Sequence, residues 1–157
     1  MKAFGIRQLP LSFGTARKGE VRMQLAALPW RMRGSKPQIL LITSRTTRRW
    51  IVPKGWPMDG RTPAQAAAAE AWEEAGVRGR ASDICIGIYG YSKGMEDESD
   101  LPVMVALYPL QVTSFASSWP EAHERRRKWL SRRKAASRVE EPELAALIES
   151  FDPARLS

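Results

Sequence analysis

Apolar residues in the first third of the chain fall in short runs rather than at helical spacing. VRMQLAALPW, residues 21–30, and QILLITS, residues 38–44, read as two strands separated by the turn RGSKP. RWIVP is a shorter extended piece ended by Pro53, whose ring also pushes the preceding residue out of helical geometry. The pattern then turns helical over about Pro63 to Ala75. Thr62 can cap the helix, Pro63 suits its first position, and Gln65 sits three residues after the cap, as a capping box requires. Alanines, the best helix formers, fill the body, and Gly76 stands where the helix would stop. DICIGIYGYSK and LPVMVALYPLQV predict two further strands joined by the acidic loop GMEDESD. PEAHERRRKWL predicts a short helix running into a brief extended segment. EPELAALIESF closes the pattern as an amphipathic helix, with Leu144, Leu147, Ile148 and Phe151 at helical spacing. Strands, a helix, more strands and then helices predict an α+β sandwich, a mixed sheet flanked by helices.

Composition leaves that picture standing and narrows the setting. The 157 residues suit a single domain, 1–157 with a core of about 21–151, and 43% apolar against 27% charged residues is ordinary for a globular protein. Cys85 is the one cysteine, which excludes an intrachain disulfide and a Cys-based zinc site; its run, ICIGIYGY, predicts a small core residue. No eighteen consecutive apolar residues occur, and the opening MKAFGIRQLPLSFG lacks the apolar stretch of a signal peptide, so a cytoplasmic protein with no membrane partner is expected. Trp50 and Trp129 are expected to anchor the core, while Trp56 either stacks on a base or covers the helix start.

Charge changes the picture more. Twenty-five Lys and Arg against 17 Asp and Glu give a net +8, which favours polyanionic partners. The basic residues concentrate in RTTRRWIVPK and RRRKWLSRRK. Against that background Glu70, Glu73 and Glu74 gather on one helical turn, where like charges at i,i+4 cost a few tenths of a kcal/mol per pair. At about 100° per residue the three fall within roughly a third of the circumference, beside the small Ala67 and Ala71. Carboxylates with backbone carbonyls and water suit Mg²⁺ or Mn²⁺, whereas zinc would want His or Cys.

The flanking residues carry a resemblance. PKGWPMDGRTPAQAAAAEAWEEAGV is similar to the signature of the Nudix hydrolases, G-x5-E-x7-R-E-U-x-E-E-x-G-U with U bulky and apolar: Gly55, Glu70, Glu73, Glu74, Gly76 and Val77 match, while Arg61, Ala69 and Ala71 depart from it. SRTTRRWIVPKGWP, GIYGYSK, VALYPLQV and SWPEAHERRRKWL resemble the branch that includes diphosphoinositol polyphosphate phosphohydrolases and dinucleoside polyphosphate hydrolases. The resemblance implies a Nudix-type α/β/α sandwich and a pyrophosphohydrolase that uses Mg²⁺ or Mn²⁺ to cleave a phosphoanhydride in a polyphosphorylated small molecule. It further implies that Glu70 and Glu74 are the principal metal ligands with Glu73 assisting, that the main-chain carbonyl near Lys54 or Gly55 completes the shell, and that Glu73 or Glu74 takes the proton from water. Ser44, Arg45, Arg125 and Arg127 would contact substrate phosphates, with Arg22 and Lys54 as weaker additions. The departures at Arg61 and Ala69 leave a second reading, a catalytically weak module that binds RNA or polyphosphate through its basic face.

Overall fold

The strand-period runs pair into one mixed sheet in the computed structural model, which describes residues 22–92 and 102–156. Its strands are β1 (Met23–Arg33), β2 (Lys36–Thr43), β3 (Trp50–Ile51), β4 (Lys54–Gly55), β5 (Val77–Ala81), β6 (Gly87–Ser92), β7 (Pro102–Phe115) and β8 (Arg127–Ser131). The order is β3-β2-β1-β7-β5, with β4 on β1, β6 on β7 and β8 on β2. β1 and β7 run parallel, from Met23 opposite Met104 to Trp30 opposite Gln111, and the other pairs are antiparallel. Helix α1 (Pro63–Ala75) lies on one face; α2 (Arg132–Arg138) and α3 (Pro142–Glu149) cover the other, followed by a 3₁₀ turn at Pro153–Leu156.

Two covered faces explain why β1 and β2 read as continuous apolar runs. Successive side chains point to opposite faces. Leu25, Ala27, Leu40 and Ile42 therefore pack under α1 with Ala64, Ala67, Ala71 and Ala75. Ala26, Leu28, Ile39 and Leu41 pack with Leu144, Ile148 and Phe151. The alanine face of α1 brings the helix backbone close to the sheet, which later decides where its glutamates stand.

The local rules for α1 hold. Thr62 Oγ1 accepts from the Gln65 N–H at 3.1 Å, and Gln65 Oε1 accepts from the Thr62 N–H at 2.9 Å, closing the capping box. Gly76 takes the left-handed conformation at φ 68°, which only glycine adopts freely, and its N–H donates to Trp72 O at 3.0 Å. Thr62→Ala is expected to lower stability by about 1 kcal/mol, read as a shift in the denaturant midpoint with an unchanged slope.

Three expectations are corrected. PEAHERRRKWL forms no helix: residues 120–124 are turns leading into β8. The Ala122 and Glu124 amides close local turns, while Glu121 N–H donates to Glu73 O at 3.1 Å and Arg126 N–H to Thr43 Oγ1 at 2.9 Å. Cys85 is exposed, because residues 82–86 form a loop ahead of β6. The expected strand from Asp83 accordingly begins only at Gly87, and β4, β5 and α2 were not anticipated. The opening MKAFGIRQLPLSFG, Val21 and the loop GMEDESD lie outside the described residues. Among the described residues no helix is long and apolar enough to cross a membrane.

Candidate metal and phosphate site

The carboxylates of α1 meet the sheet at β4. Gly55 pairs with Leu25 of β1, and the Glu70 side chain lies directly on it. A Cβ at position 55 would fall onto Glu70 Cδ and Oε1, well inside van der Waals contact. One turn on, Glu74 is buried, and its Oε1 accepts from the Lys54 N–H at 3.4 Å. Glu70 and Glu74 are hydrogen-bonded to one another. Glu73 is exposed. On the helix surface Glu73 at i+3 and Glu74 at i+4 are both neighbours of Glu70; burial separates them, with Glu74 turned in against β4 and Glu73 left exposed. Two carboxyls therefore converge rather than three, and among the described residues no group of three His, Cys, Asp or Glu forms a ready cage for a metal.

The convergent pair still fits a hard divalent cation. Its donors are all oxygens, the position beneath Glu70 carries no side chain to obstruct approach, and two facing carboxyls joined by one proton form an arrangement that a cation can replace. His123, the single histidine, is exposed in the 120–124 turn.

Electrostatics sharpen the point. Burial pushes the Glu74 carboxyl up to about 8, the Arg125 charge opposes that rise, and the Glu70 hydrogen bond and charge reinforce it. Arg125, itself nearly enclosed, stands 3.6 Å from Glu74 Oε1 and donates to Glu121 Oε1 at 2.8 Å and Thr43 O at 3.1 Å. The Lys54 amine is held below its ordinary range, chiefly by burial and against the pull of Glu74. Its Nζ lies 5.1 Å from the centre of the Tyr91 ring, and the Tyr91 hydroxyl donates to Gln24 Oε1 at 2.5 Å.

A pH dependence follows. The folded protein holds a proton on Glu74 up to about pH 8, whereas the unfolded chain releases it near 4.5. Between those values the folded state binds more protons, so stability falls as pH rises through this window. Metal-free protein is expected to melt progressively lower from pH 5 to pH 8, and Glu74→Gln should flatten that slope in a calorimetric pH series.

The other residues expected to bind phosphate are dispersed. Arg125 reaches the carboxylate pair, and Lys54 stands beside it. Ser44 Oγ is engaged with Thr47 Oγ1 at 2.7 Å and accepts from Arg49 N–H at 3.1 Å. Arg45 is exposed, 3.8 Å from Glu124, and Arg22 is exposed ahead of β1. Arg127 is wedged between the rings of Phe115 at 3.6 Å and Trp119 at 3.8 Å, and donates to Ala75 O at 3.1 Å. With Trp119 Nε1 donating to Glu74 O at 3.0 Å and the Glu121 amide on Glu73 O, the 119–127 segment caps the last carbonyls of α1. Trp119, Glu121, Thr43 and Tyr91 were missed from the sequence; the i,i+4 spacing of Glu121 and Arg125 was the one local signal, and the remaining contacts are long-range.

A model of the NUDIX domain matches residues 22–151. Nudix hydrolase 16, mitochondrial, of Arabidopsis thaliana is 38% identical over 122 residues, covering 75% of this chain and 67% of the relative. Diphosphoinositol polyphosphate phosphohydrolase 3-beta of Homo sapiens is 30% identical over 110 residues, covering 69% of this chain and 63% of the relative. This chain thus spans about two thirds of the length of these curated relatives. The solved Ap4A hydrolase of C. elegans shares the fold, with a TM-score of 0.61 over 82% of this chain and 94% of that one at 22% identity.

Proposed function

The chain belongs to the Nudix hydrolase family, and from that premise we propose that it is a Mg²⁺- or Mn²⁺-dependent pyrophosphohydrolase cleaving a phosphoanhydride in a dinucleoside polyphosphate or a diphosphoinositol polyphosphate. The observation that carries this reading is the meeting of the Glu70 and Glu74 carboxyls over the bare backbone of Gly55. Relatives bearing those activities in their names add support. Glu70, Glu74 and the Gly55 carbonyl would hold the cation, which when bound offsets phosphate charge and polarises the scissile group. Lys54 and Arg125 would bring positive charge to the phosphates, Arg125 from within the fold, where Glu121, Thr43 and Glu74 hold its guanidinium beside the carboxyl pair. Arg22, Ser44, Arg45 and Arg127 are retained as candidates for the outer phosphates. Glu73 or Glu74 would take the proton as water attacks phosphorus and the anhydride oxygen leaves; the exposed Glu73 is free to move to substrate, while Glu74 is already poised near neutrality. A cytoplasmic setting is part of this proposal, although the Arabidopsis relative carries a mitochondrial name.

The RNA-binding reading gains little. Beyond the departures at Arg61 and Ala69 it needs a free basic face, yet in the two basic clusters Arg49 is paired with the buried Glu141 at 3.1 Å, and Arg125 and Arg127 are engaged within the fold. The test is hydrolysis of diadenosine tetraphosphate, a diphosphoinositol polyphosphate and 5′-triphosphorylated RNA with Mg²⁺, Mn²⁺ or EDTA. The proposal expects cation-dependent turnover of one of the first two; no turnover of any substrate in either metal would refute it.

A further inference from the structure

The outer flank of α1 faces away from the carboxylate pair and borders an open cleft of about 800 Å³. Its walls come from three directions: Met58 and Arg61 before the helix, Ala68, Ala69 and Trp72 on it, and Arg78 on β5. Ala68 and Ala69 keep the floor open, since neither side chain extends past a methyl. β5 carries a bulge between Arg78 and Gly79, the kind of irregularity that re-aims a side chain. Here Arg78 lies flat on Trp72, its guanidinium carbon 3.5 Å from the ring centre.

That stacking occupies the face of the guanidinium and leaves its in-plane N–H donors directed outward. Among the described residues, neither Arg78 nor Arg61 has a side-chain hydrogen bond or ion pair. Glu73, at the end nearest the catalytic face, is the one acidic residue of the lining, against two arginines. Two unopposed arginines, one held rigid by an indole, in a cleft with a small-residue floor make a receptor for an anion. We propose that this cleft is a second, non-catalytic site for a phosphate-bearing ligand, gripped between Arg61 and Arg78. The site does not depend on the catalytic reading, because none of its cationic residues touches Glu70 or Glu74.

The ligand is either the distal end of the substrate or a separate phosphorylated effector, and the experiment separates them. The side-chain N–H resonance of Trp72, assigned with Trp72→Phe, is followed as tripolyphosphate is added in EDTA. The expected result is a saturable shift that weakens about tenfold in Arg61→Ala and is lost in Ala69→Glu, which adds a carboxylate to the floor and removes no contact. A raised KM with unchanged kcat in Arg61→Ala would identify the substrate's distal end, and an unchanged KM an effector. A silent Trp72 in the wild type, or a shift that both variants leave intact, would overturn the proposal, whatever the fate of hydrolysis.

Discussion

Glu74→Gln will lower turnover by on the order of 10³-fold while leaving the fold at neutral pH almost unchanged. The two halves of this expectation have one cause. Because its carboxyl is pushed up to about 8, Glu74 is largely protonated at pH 7 in the metal-free protein. A glutamine amide is close to that protonated acid in shape and charge, so the buried environment accepts it, and Arg125 keeps its 2.8 Å bond to Glu121. The proposed chemistry needs the other protonation state. The ionised carboxylate is what would hold a cation or take a proton, and glutamine supplies neither. Steady-state hydrolysis beside thermal melting at pH 7 checks both halves. A large loss of stability would mean that the carboxylate charge supports the fold, and near-normal turnover would remove Glu74 from the chemistry.

Gly55→Ala is the second large effect, and it acts without touching an ionisable group. The added methyl must share space with Glu70 Cδ and Oε1. Backbone on β4 is held by pairing to Leu25 and by the neighbouring Ala27 N–H donating to Pro53 O at 3.0 Å, so the Glu70 side chain gives way. Displacing a carboxylate by about 1 Å from its working position costs about 10²-fold in rate. The strain of overpacking adds roughly 1–3 kcal/mol to the stability cost. Glu70→Gln in the same background distinguishes the mechanisms: if the glycine serves only to seat Glu70, the double variant will be no slower than the slower single one.

Much of this was legible from local pattern. α1 begins and ends where its cap, its proline and Gly76 put it, because each acts within four residues. β1, β2 and β7 were readable because both faces of the sheet are covered and the runs are apolar throughout. The failures share a different physics. Residues 119–127 carry turn and helix formers, yet the hydrogen bonds of Trp119, Glu121, Arg126 and Arg127 that fix the segment go to α1 and Thr43, partners distant in sequence. Two-residue strands such as β4 are defined by what they pair with, and VRGRA of β5 has too little apolar pattern to announce itself. At the site, helical spacing correctly put three glutamates on one turn, but only the approach of Gly55 and the sheet decides that Glu70 and Glu74 converge while Glu73 points outward. Arg127 belonged to a basic run that reads as phosphate-binding; the Phe115 and Trp119 rings that enclose it come from β7 and from the segment between β7 and β8.

The Glu70–Glu74 pair over Gly55 is proposed as the seat of a divalent cation. Electron paramagnetic resonance of Mn²⁺ titrated into the protein at pH 8 addresses it without any substrate. Loss of the free-ion signal in proportion to protein, abolished in Glu70→Gln and in Glu74→Gln but kept in Arg61→Ala, is expected. Equal Mn²⁺ uptake by the wild type and both glutamate variants would contradict that assignment.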